Sequence, residues 1–144
     1  MIDFVIPIDP IAKGKMRSKE IKAAERTMAE FAYRYMRSIE LNPLEGGLAV
    51  TVRFVLRAPR SVERAVPTTK PDLVDYAHML QAFNGILWLD DSQIIGIDAI
   101  KLYADENPSI EIKVQQIVTA EENGHKKNTI RGKGVKNASK EKGI

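Results

Sequence analysis

The chain has 144 residues, 44% hydrophobic and 28% charged, with a net charge of +3 and no cysteine. This length and apolar fraction suit one soluble domain with a real core. The missing thiols exclude disulfides, thiolate zinc sites and a cysteine nucleophile. The opening MIDFVIPIDP lacks the basic-then-apolar order of a signal peptide. No apolar run approaches the ~20 residues a membrane span needs, so a cytoplasmic protein is expected.

Along residues 2–8, Ile2, Phe4, Ile6 and Ile8 alternate, which predicts a half-buried strand. Pro7 lacks a backbone donor, so the strand ends there or lies at a sheet edge. PIAKGKMR, residues 10–17, reads as a basic loop. Ser18 is a candidate N-cap for an amphipathic helix over 19–39, whose inner stripe is Ile21, Ala24, Met28, Phe31 and Tyr35. Asn42-Pro43 and Gly46-Gly47 end it. LAVTVRFVLR, residues 48–57, predicts a second strand, with Leu48, Val50, Val52, Phe54 and Leu56 on one face. Residues 58–69 hold two prolines and no periodicity, so they read as a long loop.

Residues 72–84 predict a second helix that buries Leu73, Ala77, Leu80 and Phe83, with Gly85 at C′. Strands follow at 93–104 and 109–118, close enough to form an antiparallel hairpin. The order β-α-β-α-β-β predicts an α+β fold, with a mixed sheet of about four strands and two main helices. From Thr119 the chain is polar and lysine-rich. A domain over 1–118 and a basic, disordered tail over 119–144 are therefore expected.

Charge is unevenly spread. Residues 10–71 hold thirteen bases and six acids, residues 72–118 two bases and eight acids, and residues 119–144 seven bases and three acids. That split suits a protein that grips a polyanion and works on it with carboxylates, and equally a solvated surface with clustered charges. Phosphodiester hydrolysis needs an activated water and neutralised charge, which Mg²⁺ on two or three carboxylates can supply. Asp72 begins the second helix, and Asp90-Asp91 stand just before the third strand. The same residues would also serve as a helix cap and a turn.

The segment KPDLVDYAHMLQAFNGILWLDDSQI resembles the RusA family of Holliday-junction resolvases. The family motif runs roughly K/R-P/R-D-x-D-N-x-x-K, then an alanine-rich helix, an N-G turn and W-x-D-D-x-Q-[IV]. Lys70-Pro71-Asp72, Asn84-Gly85 and Trp88-Leu89-Asp90-Asp91-Ser92-Gln93-Ile94 carry the match, and PIAKGKMR is similar to the family's basic loop. The likeness covers about residues 2–118. It implies a homodimeric, Mg²⁺-dependent endonuclease, with Mn²⁺ as a possible substitute. The substrate would be branched DNA in recombination or repair, and the source a bacterium or phage.

Asp72 and Asp91 carry over as metal ligands, and Asp90 as their acidic neighbour. Val74 stands where the family has its second Asp, Asp75 where it has Asn, and His78 where it has Lys. If the helix begins at Asp72, Asp75 lies about 60° from it around the axis and is placed to replace the lost ligand. If Asp72 is extended, period two favours position 74 instead. The expected metal set is Asp72, Asp75, Asp90 and Asp91. The expected catalytic set is Asp72, Asp75, Asp91, His78 and Lys70. His78 would serve as a phosphate donor, proton shuttle or ligand, or else pair with Asp75 on the surface. Lys13, Lys15, Arg17, Arg57, Arg60, Arg64 and Lys70 would contact phosphates. Loss of the second ligand and of the Lys also leaves open a relative that binds branched DNA without cutting it.

Overall fold

Leu48, Val50, Val52 and Phe54 alternate with Thr51 and Arg53, so one face of their strand is wholly apolar and fully buried. That strand lies inside the sheet. A computed structural model describes residues 1–14, 18–61 and 64–117. The elements are β1 (Ile2–Ile6), α1 (Ser18–Ser38), β2 (Leu48–Leu56), α2 (Leu73–Ala77), a 3₁₀ helix (His78–Phe83), a 3₁₀ turn (Asp91–Gln93), β3 (Ile94–Tyr103) and β4 (Ser109–Gln116). They form an α+β fold with one mixed four-stranded sheet in the order β1-β4-β2-β3. β1 is an edge strand and stops before Pro7, so both consequences expected of that proline hold. The predicted tail, residues 119–144, lies outside the described residues, as do Lys15 and Arg17.

The hairpin expected between the last two strands does not form. β3 pairs parallel with β2, and β4 pairs antiparallel with β2 and with β1. β2 takes the place between them because its apolar row is the most complete. β3 carries Gly96, Asp98 and Lys101 and is poorly buried. Residues 104–108 carry the chain over the end of β2, where the Ala104 N–H reaches Leu56 O at 2.7 Å. Two strand spacings are about 10 Å, well within the reach of five residues.

The single helix expected over 72–84 is two segments, an α turn continuing as 3₁₀ helix. A three-residue repeat puts Tyr76, Met79 and Phe83, with Leu80, on the inner face. The 3.6-residue period pointed instead to Leu73 and Ala77, which are only half-buried. In α1 the centre of the buried stripe is Met28, Ala32 and Met36, one step round from the expected line. The helices cover one face of the sheet. Phe4 stacks on Tyr35 at 4.7 Å between centroids and meets Phe83 edge-on, and Phe83 meets Trp88 edge-on at 5.8 Å. Gly85 has φ +83° and ends the 3₁₀ helix in the left-handed region where glycine is cheapest. No helix among the described residues is long and apolar enough to cross a membrane.

Trp88 is fully buried, and its indole N–H donates to Asn84 Oδ1 at 2.7 Å. Trp88→Ala should therefore cost about 3–5 kcal/mol in urea unfolding, the range for emptying a large aromatic site. A loss under about 1 kcal/mol would contradict this packing.

Candidate active site

Asp72 is the N-cap of α2 and is extended, with φ −73° and ψ 157°. Its Oδ2 accepts from Lys70 Nζ at 2.8 Å. Asp75 folds back so that its Oδ2 accepts from the Asp72 N–H at 3.3 Å, while its own N–H donates to Asp72 O at 3.0 Å. The two acids are therefore neighbours although Asp72 is not helical. Val74 points outward and is 75% exposed.

Lys101, on β3, comes up beneath this segment. Its Nζ donates to Thr69 O at 2.9 Å and Pro71 O at 2.7 Å, fixing the chain just before Asp72. Thr69, Lys70, Asp72, Leu73 and Lys101 line one open groove. An adjoining cleft shares Thr69 and Lys70 and adds Asp9, Arg57, Tyr76 and Tyr103. The hydrogen bond from Lys70, with the charges of Lys70 and Lys101, holds the Asp72 carboxyl below the usual carboxylate range; the same pair raises Lys70. Lys101 was not singled out from the sequence. The available signal was a lysine in β3's inward row, paired with the buried Phe54.

The basic loop docks on the same segment. The Lys13 N–H donates to Asp75 O at 2.8 Å, and the Ile11 N–H meets Met79 Sδ at 3.2 Å. His78 is turned inward, its side chain 12% exposed. Nε2 lies 3.0 Å from Ile11 O and Nδ1 3.9 Å from Glu25. The surface pairing of His78 with Asp75 is thus replaced by contacts to the loop and α1. Lys13, Arg57, Arg60 and Arg64 are exposed, and Arg57 Nε stands 3.6 Å from Asp9.

Asp90 and Asp91 occupy the other end of the sheet. Asp90 caps the 3₁₀ turn, accepting from the Ser92 N–H at 2.9 Å, and its carboxyl is lowered by its hydrogen bonds to Ser92. Gln93 locks this turn. Its Oε1 accepts from the Leu89 and Asp90 N–H groups, and its Nε2 donates to Leu44 O and Gly46 O. No periodicity or spacing marks such a role for a glutamine. α2 and the 3₁₀ helix, five and six residues, carry the chain about 20 Å away from Asp72 before the turn. Asp91 therefore sits at the start of β3, while Asp72 sits near its far end, by Lys101.

Hard carboxylate oxygens suit Mg²⁺. Yet no group of three or more His, Asp or Glu side chains among the described residues is placed to hold a metal ion. A single chain brings Lys70, Asp72, Asp75 and Lys101 together and leaves Asp90 and Asp91 apart.

Residues 11–115 match the family described as endodeoxyribonuclease RusA. The chain belongs to the RusA endodeoxyribonuclease family. A relative in Bacillus subtilis strain 168, the uncharacterized protein YqaN, is 22% identical over 138 residues, covering 81% of this chain and 96% of its own length. The RusA match spans the basic loop, the Asp72 segment and the Asp90-Asp91 turn, so both halves of the divided acidic set lie within the nuclease domain.

Lys70→Met should raise the midpoint of the Asp72 carboxyl toward the ordinary value, read by carboxyl NMR titration. A depressed carboxyl stabilises the fold above its unfolded pKa, and that contribution is lost as pH falls through the folded value. Any stability difference between Lys70→Met and the parent should therefore vanish below about pH 3. An unmoved Asp72 midpoint would show that the Lys70 contact is absent in solution.

Proposed function

We propose that this chain is a structure-specific endodeoxyribonuclease. It binds branched DNA, of the Holliday-junction kind, as a homodimer and cuts it by Mg²⁺-dependent phosphodiester hydrolysis in recombination or repair. Mn²⁺ would serve in place of Mg²⁺. The observation that carries this reading is the groove in which Lys70, Asp72 and Lys101 meet, within a RusA-family domain. An ionised carboxylate flanked by two ammonium groups in an open groove is suited to a phosphodiester more than to a neutral ligand. Asp72 and Asp91 are the essential carboxylates, with Asp75 and Asp90 beside them. Lys70 neutralises the bound phosphate, and Lys13, Arg57, Arg60 and Arg64, with Lys15 and Arg17, grip the backbone of the arms. Recognition is then of shape and phosphate position, with little base readout.

A second reading is favoured by two observations: Val74 offers no oxygen at the family's second Asp position, and His78 is held by Ile11 and Glu25 rather than aimed at the groove. In this reading the protein binds junctions without cutting them.

A labelled four-way junction with Mg²⁺ separates the two. Nicking should appear and fall by at least about 100-fold in Asp72→Asn and in Asp91→Asn. Absence of nicks from about pH 6 to 9, with binding intact, selects the non-cutting reading. Because Val74 is exposed, Val74→Asp should change stability by less than about 0.5 kcal/mol and should raise the cutting rate. Junction affinity should drop steeply between about 50 and 200 mM salt if several phosphates are neutralised. No junction binding at low salt would sink both readings.

A further inference from the structure

β3 is a sheet edge with no strand beyond it. It is ten residues long and leaves Ile95 59%, Ile97 52% and Ile100 41% exposed. The other edge, β1, has five residues and is closed off by Pro7. A long edge strand with exposed isoleucines is a template for another strand. Two copies related by a closed two-fold meet at such an edge antiparallel, so the Ile94 end of each strand lies beside the Tyr103 end of the other.

The two ends carry opposite charge. Lys70 and Lys101 stand at the Tyr103 end, and Asp90 and Asp91 at the Ile94 end. Antiparallel pairing sets unlike ends together. It also crosses the gap that one chain leaves open. Seven strand steps, about 23 Å, separate Ile94 from Lys101, so Asp72 and Asp91 of one chain stand apart. In the pair, each Asp72 lies over its own edge strand, facing the turn that begins the neighbouring strand.

We propose that the acidic site is completed only across a two-fold β3–β3 pairing, with Asp72 of one subunit facing Asp91 of the partner subunit. The occupant of the open edge is thus a second copy of this chain. This rests on the nuclease reading above, and its test separates the two.

The chain has no cysteine, so single cysteines report cleanly. Ile97→Cys, Asp98→Cys and Ala99→Cys lie near the middle of the strand. At least one should give a disulfide-linked dimer on mild oxidation, since facing Cα atoms in an antiparallel pair are about 4.5–5.5 Å apart. Val5→Cys on β1 should stay monomeric on a non-reducing gel. No cross-link at any of the three central positions overturns the pairing.

Heterodimers of differently tagged chains then test the site, read by Mn²⁺ titration and by junction cutting. A dimer of Asp72→Asn with Asp91→Asn keeps one intact composite site, so it should show about half the wild-type Mn²⁺ stoichiometry and rate. A dimer of wild type with the doubly substituted chain should show neither. The reverse pattern overturns the inference and leaves the nuclease reading standing. Wild-type protein that neither binds Mn²⁺ nor cuts sinks both.

Discussion

Parallel pairing of β2 with β3 is the constraint from which the rest of the molecule follows. A parallel neighbour cannot be reached by a tight turn; the chain must travel back the full length of the sheet. Here it does so through the 57–72 loop, α2 and the 3₁₀ helix, which return on the helical face. That return path supplies Tyr76, Met79, Leu80 and Phe83 to the core, side chains worth roughly 1.5–3 kcal/mol each when buried. It also sets Asp72 at one end of β3 and Asp91 at the other. The separation of the carboxylates is thus a property of the topology.

Two polar anchors hold those ends. Lys101 offers its ammonium group to two backbone carbonyls of the loop, and Gln93 spends both ends of its amide on four backbone groups. In each case a side chain on or beside β3 satisfies irregular backbone that no sheet partner reaches. The acidic residues are consequently fixed to the strand. Whatever binds β3 inherits their positions.

Much of the fold was legible because alternation is a strong signal. Strand β2 could be read from Leu48 to Leu56 almost residue by residue, and Pro7, Gly85 and Trp88 behaved as their chemistry demands. Strand order was not legible. A short link after β3 suggested a hairpin, and only the competition for the flanks of β2 decides otherwise. The helix after Asp72 was misread in its inner face because periodicity assumes 3.6 residues per turn, while the chain tightens to three. At the site, Asp72 and Lys70 were visible as motif residues. The inward turn of His78 was not, since its partners Ile11 and Glu25 lie 67 and 53 positions away.

The pairing of β1 with β4 joins the beginning of the fold to its end. Ile2 faces Val114, and every other step of β1 has its only strand partner in β4. During synthesis, at roughly 5–20 residues per second, the first strand waits on the order of ten seconds before its neighbour emerges. Through that interval Ile2, Phe4 and Ile6 are exposed without a sheet to join. The nascent chain is therefore a natural client for a ribosome-associated chaperone, and the sheet closes as a late, all-at-once event rather than strand by strand.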